Sequence, residues 1–471
     1  MDYHLPPMVE FWQNGHWGRS LNPYFQAQDY PKTASSLFLW WLIHFGKLFG
    51  LRSLLCVAFF HWVFGLLASF RLFGFQRWVL LIWLGFPLIA RQSVSAYADL
   101  PGLVSLLGFC VFFFEKKYWQ AVLALFIHSS IKFTNIGSGF AVLFSVLIWW
   151  RMEQISFSRR KKIWLFFVGA FLAGCLLTPI DNIVHGNKPF GHLKCKVFGT
   201  DFCGGSVDPE SLVVAPVIDI PKDASWFSKV ARGWIPSQMI PGSDVPHGGF
   251  GGVWIVVIFL LFWNFRQREG QLNFGILRAV PDPAFCACVI VMISDLLIPA
   301  LWYPRYHLGF GWVMCMMAAM WFDLAERNLH LKKGLVPLFI FACGLLSAQL
   351  VWVLPQRTWF LGVHSVQELP KIKENLSSIV EHGYPLYATH SADIRTLDFL
   401  KLENKKISIC GTGFRPVLGA YGVTLTNRVI WYEKDCPETK SFGDRLPDRE
   451  IVNEGSSLEN SQARVTQVWV E

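Results

Sequence analysis

The chain has 471 residues, of which 53% are hydrophobic, 16% aromatic and only 16% charged. A water-soluble protein carries about a quarter charged residues, so a soluble enzyme is excluded. The 22 Trp and 42 Phe suit lipid-facing helices with aromatic belts at both interfaces. A formal charge of +9 does not mark a nucleic-acid binder, because the basic residues stand in short clusters between apolar runs, the pattern that orients a chain in a membrane.

The chain opens on a polar loop, residues 1–50, in which 7–15 and 33–45 have helical spacing with aromatic faces suited to the interface plane. Pro31 opens the second of these as an N-terminal proline does. No signal peptide separates Met1 from this loop. An outward-facing start needs a span ahead of it, so the expectation is that the complete protein has a first span upstream of Met1.

Residues 51–355 read as membrane domain. A span needs roughly 20 apolar residues, fewer where aromatic and basic anchors flank it. Spans are expected near 52–70, 78–91, 99–114, 119–131, 135–150, 163–180, 251–265, 284–301, 306–323 and 334–354. The third to fifth are short, as tilted, broken or re-entrant helices are. One set of connections holds Arg71 and Arg77, Lys116 and Lys117, Arg151 and Arg159 to Lys162, Arg266 and Arg268, and Arg327 to Lys333. These belong in the cytoplasm. The other set, with the long loop 181–250, the opening loop and the tail, then faces outside, and an even span count agrees.

Seven cysteines (Cys56, Cys110, Cys175, Cys286, Cys288, Cys315 and Cys343) fall inside apolar runs, where the thiol acts as a small hydrophobe. Cys195 and Cys203 share the long outer loop and are expected to form a disulfide. Residues 356–471 change character. Helices are expected at 365–382 and 392–402, and strands at 385–389, 407–410, 428–432 and 465–470. That alternation implies a small extracytoplasmic α/β domain. Gly411-Thr412-Gly413 follows a strand but lacks the rest of a dinucleotide fingerprint and reads as a turn.

Polar groups in or at the ends of spans are costly and are functional candidates by default. On the outer side these include Asp2, His4, Tyr97, Asp99, Lys132, Asp181, His185, Asn187, Asp295, Arg305, Tyr306 and His307. Acids at the ends of different spans, with Lys and Arg beside them, suit a phosphate cradle with a general base. Each has a plainer reading. Asp99 before Leu100-Pro101 is an ordinary helix start, Lys132 is placed to snorkel, and Arg305 is a topology outlier able to pair with Asp295.

Several segments resemble bacterial membrane glycosyltransferases of the GT-C fold, relatives of protein O-mannosyltransferases and the lipid A aminoarabinose transferase. They are Tyr3-His4-Leu5-Pro6 with Phe11-Trp12-Gln13-Asn14-Gly15, Tyr30-Pro31-Lys32, Ala96-Tyr97-Ala98-Asp99-Leu100-Pro101 and Lys132-Phe133-Thr134. In order after them come Gly186-Asn187-Lys188-Pro189-Phe190, Gly248-Gly249-Phe250-Gly251 and Pro304-Arg305-Tyr306. The ordered series covers residues 2–325.

The resemblance implies the GT-C fold, an α-helical multi-pass architecture, to which the hydropathy reading adds about ten spans and a small C-terminal α/β domain. It also implies transfer of a sugar from a polyprenyl-phosphate donor to a glycan, lipid or protein acceptor at the outer face of the cytoplasmic membrane. In such enzymes a first-loop acid, a few residues ahead of the Tyr-His pair, serves as the catalytic base or positions the acceptor. Here that position falls before Met1, and Asp2 is the nearest acid. Carried across by motif, Asp2 and Asp99 are catalytic, Lys132 and Arg305 bind the donor phosphate, and Tyr3, His4, Tyr97, Asn187 and Tyr306 contact substrate. A divalent metal between Asp99, a first-loop acid and His4 is conceivable by ligand type, but some relatives of this fold do not need one and no cofactor is assigned. The other readings are a polytopic transporter or lipid flippase, an inactive truncated transferase, and a scaffold whose outer domain binds a partner.

Overall fold

The computed structural model describes residues 31–49, 53–74, 77–85, 98–153, 157–186, 188–191, 196–197, 200–201, 224–229, 283–298 and 307–327. It also describes the strands at 386–388, 406–410, 428–432 and 466–470 and the single positions Met8, Phe11 and Ile89. The chain divides into two compact units, Asp29–Phe360 and Met1–Gln28 with Leu361–Glu471.

The first unit is helical. Its elements are α1 (Thr33–Phe49), α2 (Ser53–Phe73), α3 (Arg77–Gly85), α4 (Asp99–Phe114), α5 (Tyr118–Ile131), α6 (Asn135–Met152), α7 (Phe157–Val184), α8 (Pro283–Leu296) and α9 (Leu308–Arg327). A small antiparallel hairpin, β1 (Lys196–Val197) and β2 (Thr200–Asp201), follows α7. Eight of these helices lie on segments expected to be helical spans, and α1 extends the expected interface helix by one turn. The spans expected at 251–265 and 334–354 lie outside the described residues.

Among the described residues three stretches, Cys56–Phe73, Asn135–Met152 and Arg160–Val184, are long and apolar enough to cross a membrane, while Asp99–Phe114, Pro283–Leu296 and Leu308–Met320 are shorter apolar helices. At 1.5 Å per residue an 18-residue helix is about 27 Å long, close to the roughly 30 Å of a hydrocarbon core. α7 runs beyond the expected 163–180 at both ends. The helix starts at Phe157, ahead of the basic run Arg159 to Lys162, so it is longer than its apolar stretch.

Burial follows the helical period. Phe140, Phe144 and Ile148 stand exposed at four-residue spacing on α6, while Val142, Val146 and Trp150 face inward. An exposed stripe of that kind suits lipid rather than water. The interior holds fully buried Trp83, Phe109, Phe167, Phe171 and Trp312. α4 packs on α5 and α2, α5 on α7, and α8 on α6 and α9. Gly174 of α7 lets that helix close on α5, since a Cβ there would stand 2.7 Å from the Phe126 carbonyl oxygen. Trp312 Nε1 donates to Ser69 Oγ at 2.8 Å, which joins α9 to α2.

The helix ends sort into two faces. At one, Arg71 and Lys117 flank Glu115 at 3.1 and 2.7 Å. Arg160 there donates to the Tyr118 hydroxyl and lies 5.0 and 5.4 Å from the Tyr118 and Trp150 ring centres. Of the basic residues expected in the cytoplasm, Arg71, Lys117 and Arg160 are at this face, while Arg266, Arg268, Lys332 and Lys333 lie outside the described residues. The opposite ends of α4 to α6 carry Asp99, Lys132 and Asn135.

In the second unit β3 (Leu386–Ala388), β4 (Lys406–Cys410), β5 (Arg428–Tyr432) and β6 (Thr466–Val470) form one sheet in the order β3-β6-β4-β5. β4 and β5 are parallel, with Lys406 opposite Arg428 and Cys410 opposite Tyr432, and β6 is antiparallel to both β3 and β4. The strands fall on the four segments expected from their β-branched and aromatic content. The helices expected at 365–382 and 392–402 lie outside the described residues.

Candidate functional site

Helix ends create the site. α4 begins at Asp99, with Ala98 as its cap residue, and α5 stops at Ile131 because Lys132 turns extended at φ −148° and ψ 146°. A tight turn through Phe133 and Thr134 then starts α6 at Asn135, whose N–H donates to the Lys132 carbonyl at 3.1 Å. The reversal places Lys132 beside the first residue of α4, and its ammonium donates to Asp99 Oδ1. The Asp99 side chain is only 5% exposed and that of Lys132 16%. The two residues are 33 apart in sequence, so the pair is a product of packing.

The pair borders a small cleft between α4, α5, α6, α8 and α9. His128, Asn135, Ser138, Ser294, Asp295 and Gly309 contribute to its walls, with Leu103, Leu106, Ile298 and Leu308 as apolar lining. Asp295, near the end of α8, takes the Phe310 N–H on Oδ2 at 2.8 Å and so satisfies an otherwise orphan donor in the first turn of α9. Its own carbonyl accepts from buried His307 Nδ1 at 3.1 Å. A Cβ on Gly309 would stand 2.9 Å from both Asp295 Oδ1 and Val291 Cγ1, so the α8–α9 contact requires glycine there. This acid is explained by the helix start it holds.

Deeper in the cleft His128 is 3% exposed. Its Nδ1 lies 3.0 Å from the Gly102 carbonyl, and Nε2 lies 2.5 Å from Ser138 Oγ. A carbonyl only accepts, so Nδ1 carries a proton; Ser138 Oγ, the partner of Nε2, also donates to the Asn135 carbonyl at 2.9 Å. Asn135 Nδ2 donates to the His128 carbonyl at 2.8 Å.

Of the residues expected at the site, Asp99 and Lys132 are brought together. The Lys132 turn also meets the Gly186–Phe190 motif, with the Phe133 and Phe190 rings 5.8 Å apart. Asn182 Nδ2, in the last turn of α7, donates to the Pro189 carbonyl at 3.0 Å. Asp181 and His185 are instead neighbours on the last turn of α7, 3.4 Å apart and partly exposed. Asp2, Tyr3, His4, Tyr97, Asn187, Arg305 and Tyr306 lie outside the described residues. Among the described residues no group of three His, Cys, Asp or Glu side chains could hold a metal.

Sequence reasoning missed His128, Ser138, Asn135 and Ser294. The signal existed, because a His and two Ser close an otherwise apolar α5 (Ile127-His128-Ser129-Ser130) and polar groups inside spans are costly.

No protein-family model and no curated protein matches this chain. Among solved structures it is similar to two crystal structures of ArnT from Cupriavidus metallidurans. The one bound to undecaprenyl phosphate aligns at 11% identity and a TM-score of 0.41, over 90% of this chain and 70% of that one. The apo state aligns at 10% identity and a TM-score of 0.32 over the same shares.

Proposed function

We propose that this chain is a polytopic membrane glycosyltransferase of GT-C type, with about ten spans and an extracytoplasmic α/β domain. It moves a sugar from a polyprenyl-phosphate donor to an acceptor hydroxyl or amine at the outer membrane face. The observation that carries this reading is the Asp99–Lys132 pair on a cleft at the shared end of five helices. Lys132 binds the donor phosphate with Arg305, whose planar guanidinium suits bidentate contact. The arriving phosphate competes with Asp99 for the ammonium. Freed from Lys132, the Asp99 carboxylate accepts a proton from the acceptor as it attacks the anomeric carbon, while the cations stabilise the departing phosphate. Asp2 is a second acid near the acceptor, and Tyr3, His4, Tyr97, Asn187 and Tyr306 contact the sugar.

A transporter or flippase places its polar groups near the bilayer midplane, often on broken helices. Asp99 and Lys132 stand at helix ends instead, which favours transfer. The test supplies the purified chain in lipid nanodiscs with a panel of polyprenyl-phosphate sugars and follows free polyprenyl phosphate. Release is expected from the unaltered chain and is expected to fall at least about a hundredfold in both Asp99→Asn and Lys132→Met. Equal release from all three would remove the pair from the chemistry.

A further inference from the structure

We propose that His128 is the positioning residue of this site, holding Asp99 and Lys132 in register through its two ring nitrogens and its own carbonyl. The inference rests on the transferase reading for its purpose and on geometry for its substance. A lone buried histidine is usually no more than a satisfied core residue, which accounts for any one of its contacts but not for where they lead. Gly102 is three residues after Asp99, on the same side of α4, and its carbonyl accepts from Nδ1 at 3.0 Å. His128 stands four residues before Lys132, one turn back on α5. Asn135 and Ser138 open the helix that follows Lys132, and they meet the His128 carbonyl at 2.8 Å and Nε2 at 2.5 Å.

One side chain thus fastens the helix bearing the acid, the helix ending at the cation and the helix that receives the turn. Their approach is close, since a Cβ on Gly102 would come 3.3 Å from Asn135 Nδ2. A shift of α4 along α5 would break the Nδ1 bond and part the ion pair in the same movement. Leucine could fill the space, but only a side chain with a hydrogen-bonding group on each edge ties all three helices.

The test reads the pair directly. A membrane-permeant carbodiimide joins an ion-paired carboxylate and amine as an amide with loss of water, and mass spectrometry quantifies the Asp99–Lys132 cross-linked peptides. Full chain in nanodiscs is compared as unaltered protein, His128→Leu, His128→Asn and Ser138→Ala. The amide yield is expected to fall at least about tenfold in His128→Leu and severalfold in Ser138→Ala. His128→Asn is expected to restore it, because the asparagine amide keeps a donor where Nδ1 stood.

With a turned-over donor, His128→Leu is expected to lower kcat about ten- to a hundredfold with KM little changed, the signature of misplaced reacting groups. A purely structural role would lower the melting temperature without rescue by asparagine. If His128→Leu does not fold, the Ser138→Ala and His128→Asn yields decide alone. An unchanged amide yield in every folded variant overturns the inference and leaves the transferase reading untouched. Failure of the unaltered chain to use any donor sinks that reading, while the amide yields still decide the role of His128.

Discussion

A lysine and an aspartate withdrawn from water at the end of a helix bundle are costly to separate. Removing one partner of a buried pair typically costs 3–5 kcal/mol, because it strands the other charge. With Lys132 still partly exposed, the lower end applies. Lys132→Met is therefore expected to destabilise the folded unit by about 3 kcal/mol. The double variant Asp99→Asn/Lys132→Met is expected to cost clearly less than the two singles summed. A double-mutant cycle of denaturation midpoints measures this, and strict additivity would show that the two groups do not interact. Asp295 carries a different expectation, because its carboxylate holds the start of α9. Asp295→Ala should cost about 1 kcal/mol as a lost cap, whereas Asp295→Asn keeps an acceptor for the Phe310 N–H and should stay near the parent in thermal melting. Asp99 and Lys132 were legible in the sequence because a charge beside an apolar run needs an explanation wherever the chain folds. His128 was not, since its partners are a backbone carbonyl and a serine on two other helices, and no local pattern records either.

Helix positions were readable to within a turn where chemistry punctuates them. Asp99-Leu100-Pro101 and Glu115-Lys116-Lys117 bracket α4 at the expected residues, whereas α7 passes its apolar limits because a helix ends on hydrogen bonding and not on hydropathy. Close approach between elements left only a faint mark: Gly309 reads as an ordinary glycine until Asp295 and Val291 are placed against it. Gly309→Val is expected to overpack the α8–α9 contact and cost about 2 kcal/mol, which thermal unfolding in nanodiscs would detect; a value near zero would mean that the two helices do not close there. The hairpin of β1 and β2 lies between Cys195 and Cys203, pairing Lys196 with Asp201. A disulfide across it is the expected state on the outer side. Non-reducing peptide mapping from native membranes should recover Cys195 linked to Cys203, and two alkylatable thiols would refute it.

On the scale of the whole molecule, function requires every polar group of the site to share one leaflet. Lys188→Cys should react with an impermeant maleimide on intact cells, and Lys161→Cys only after permeabilisation, with labelling read on the peptides that carry them. Reaction of both from outside would undo the topology. Hydropathy marked the segments on which the described helices lie because lipid imposes the same demand on every residue within it. It could not convey which helices pack together, so the cleft emerged only with the fold. The most direct test of the central claim is cryo-electron microscopy of the chain in nanodiscs with a non-hydrolysable polyprenyl-phosphate sugar analogue. The account predicts the phosphate on Lys132, the ammonium drawn away from Asp99, and the sugar beside that carboxylate. A phosphate bound elsewhere with the Asp99–Lys132 pair still closed would contradict it.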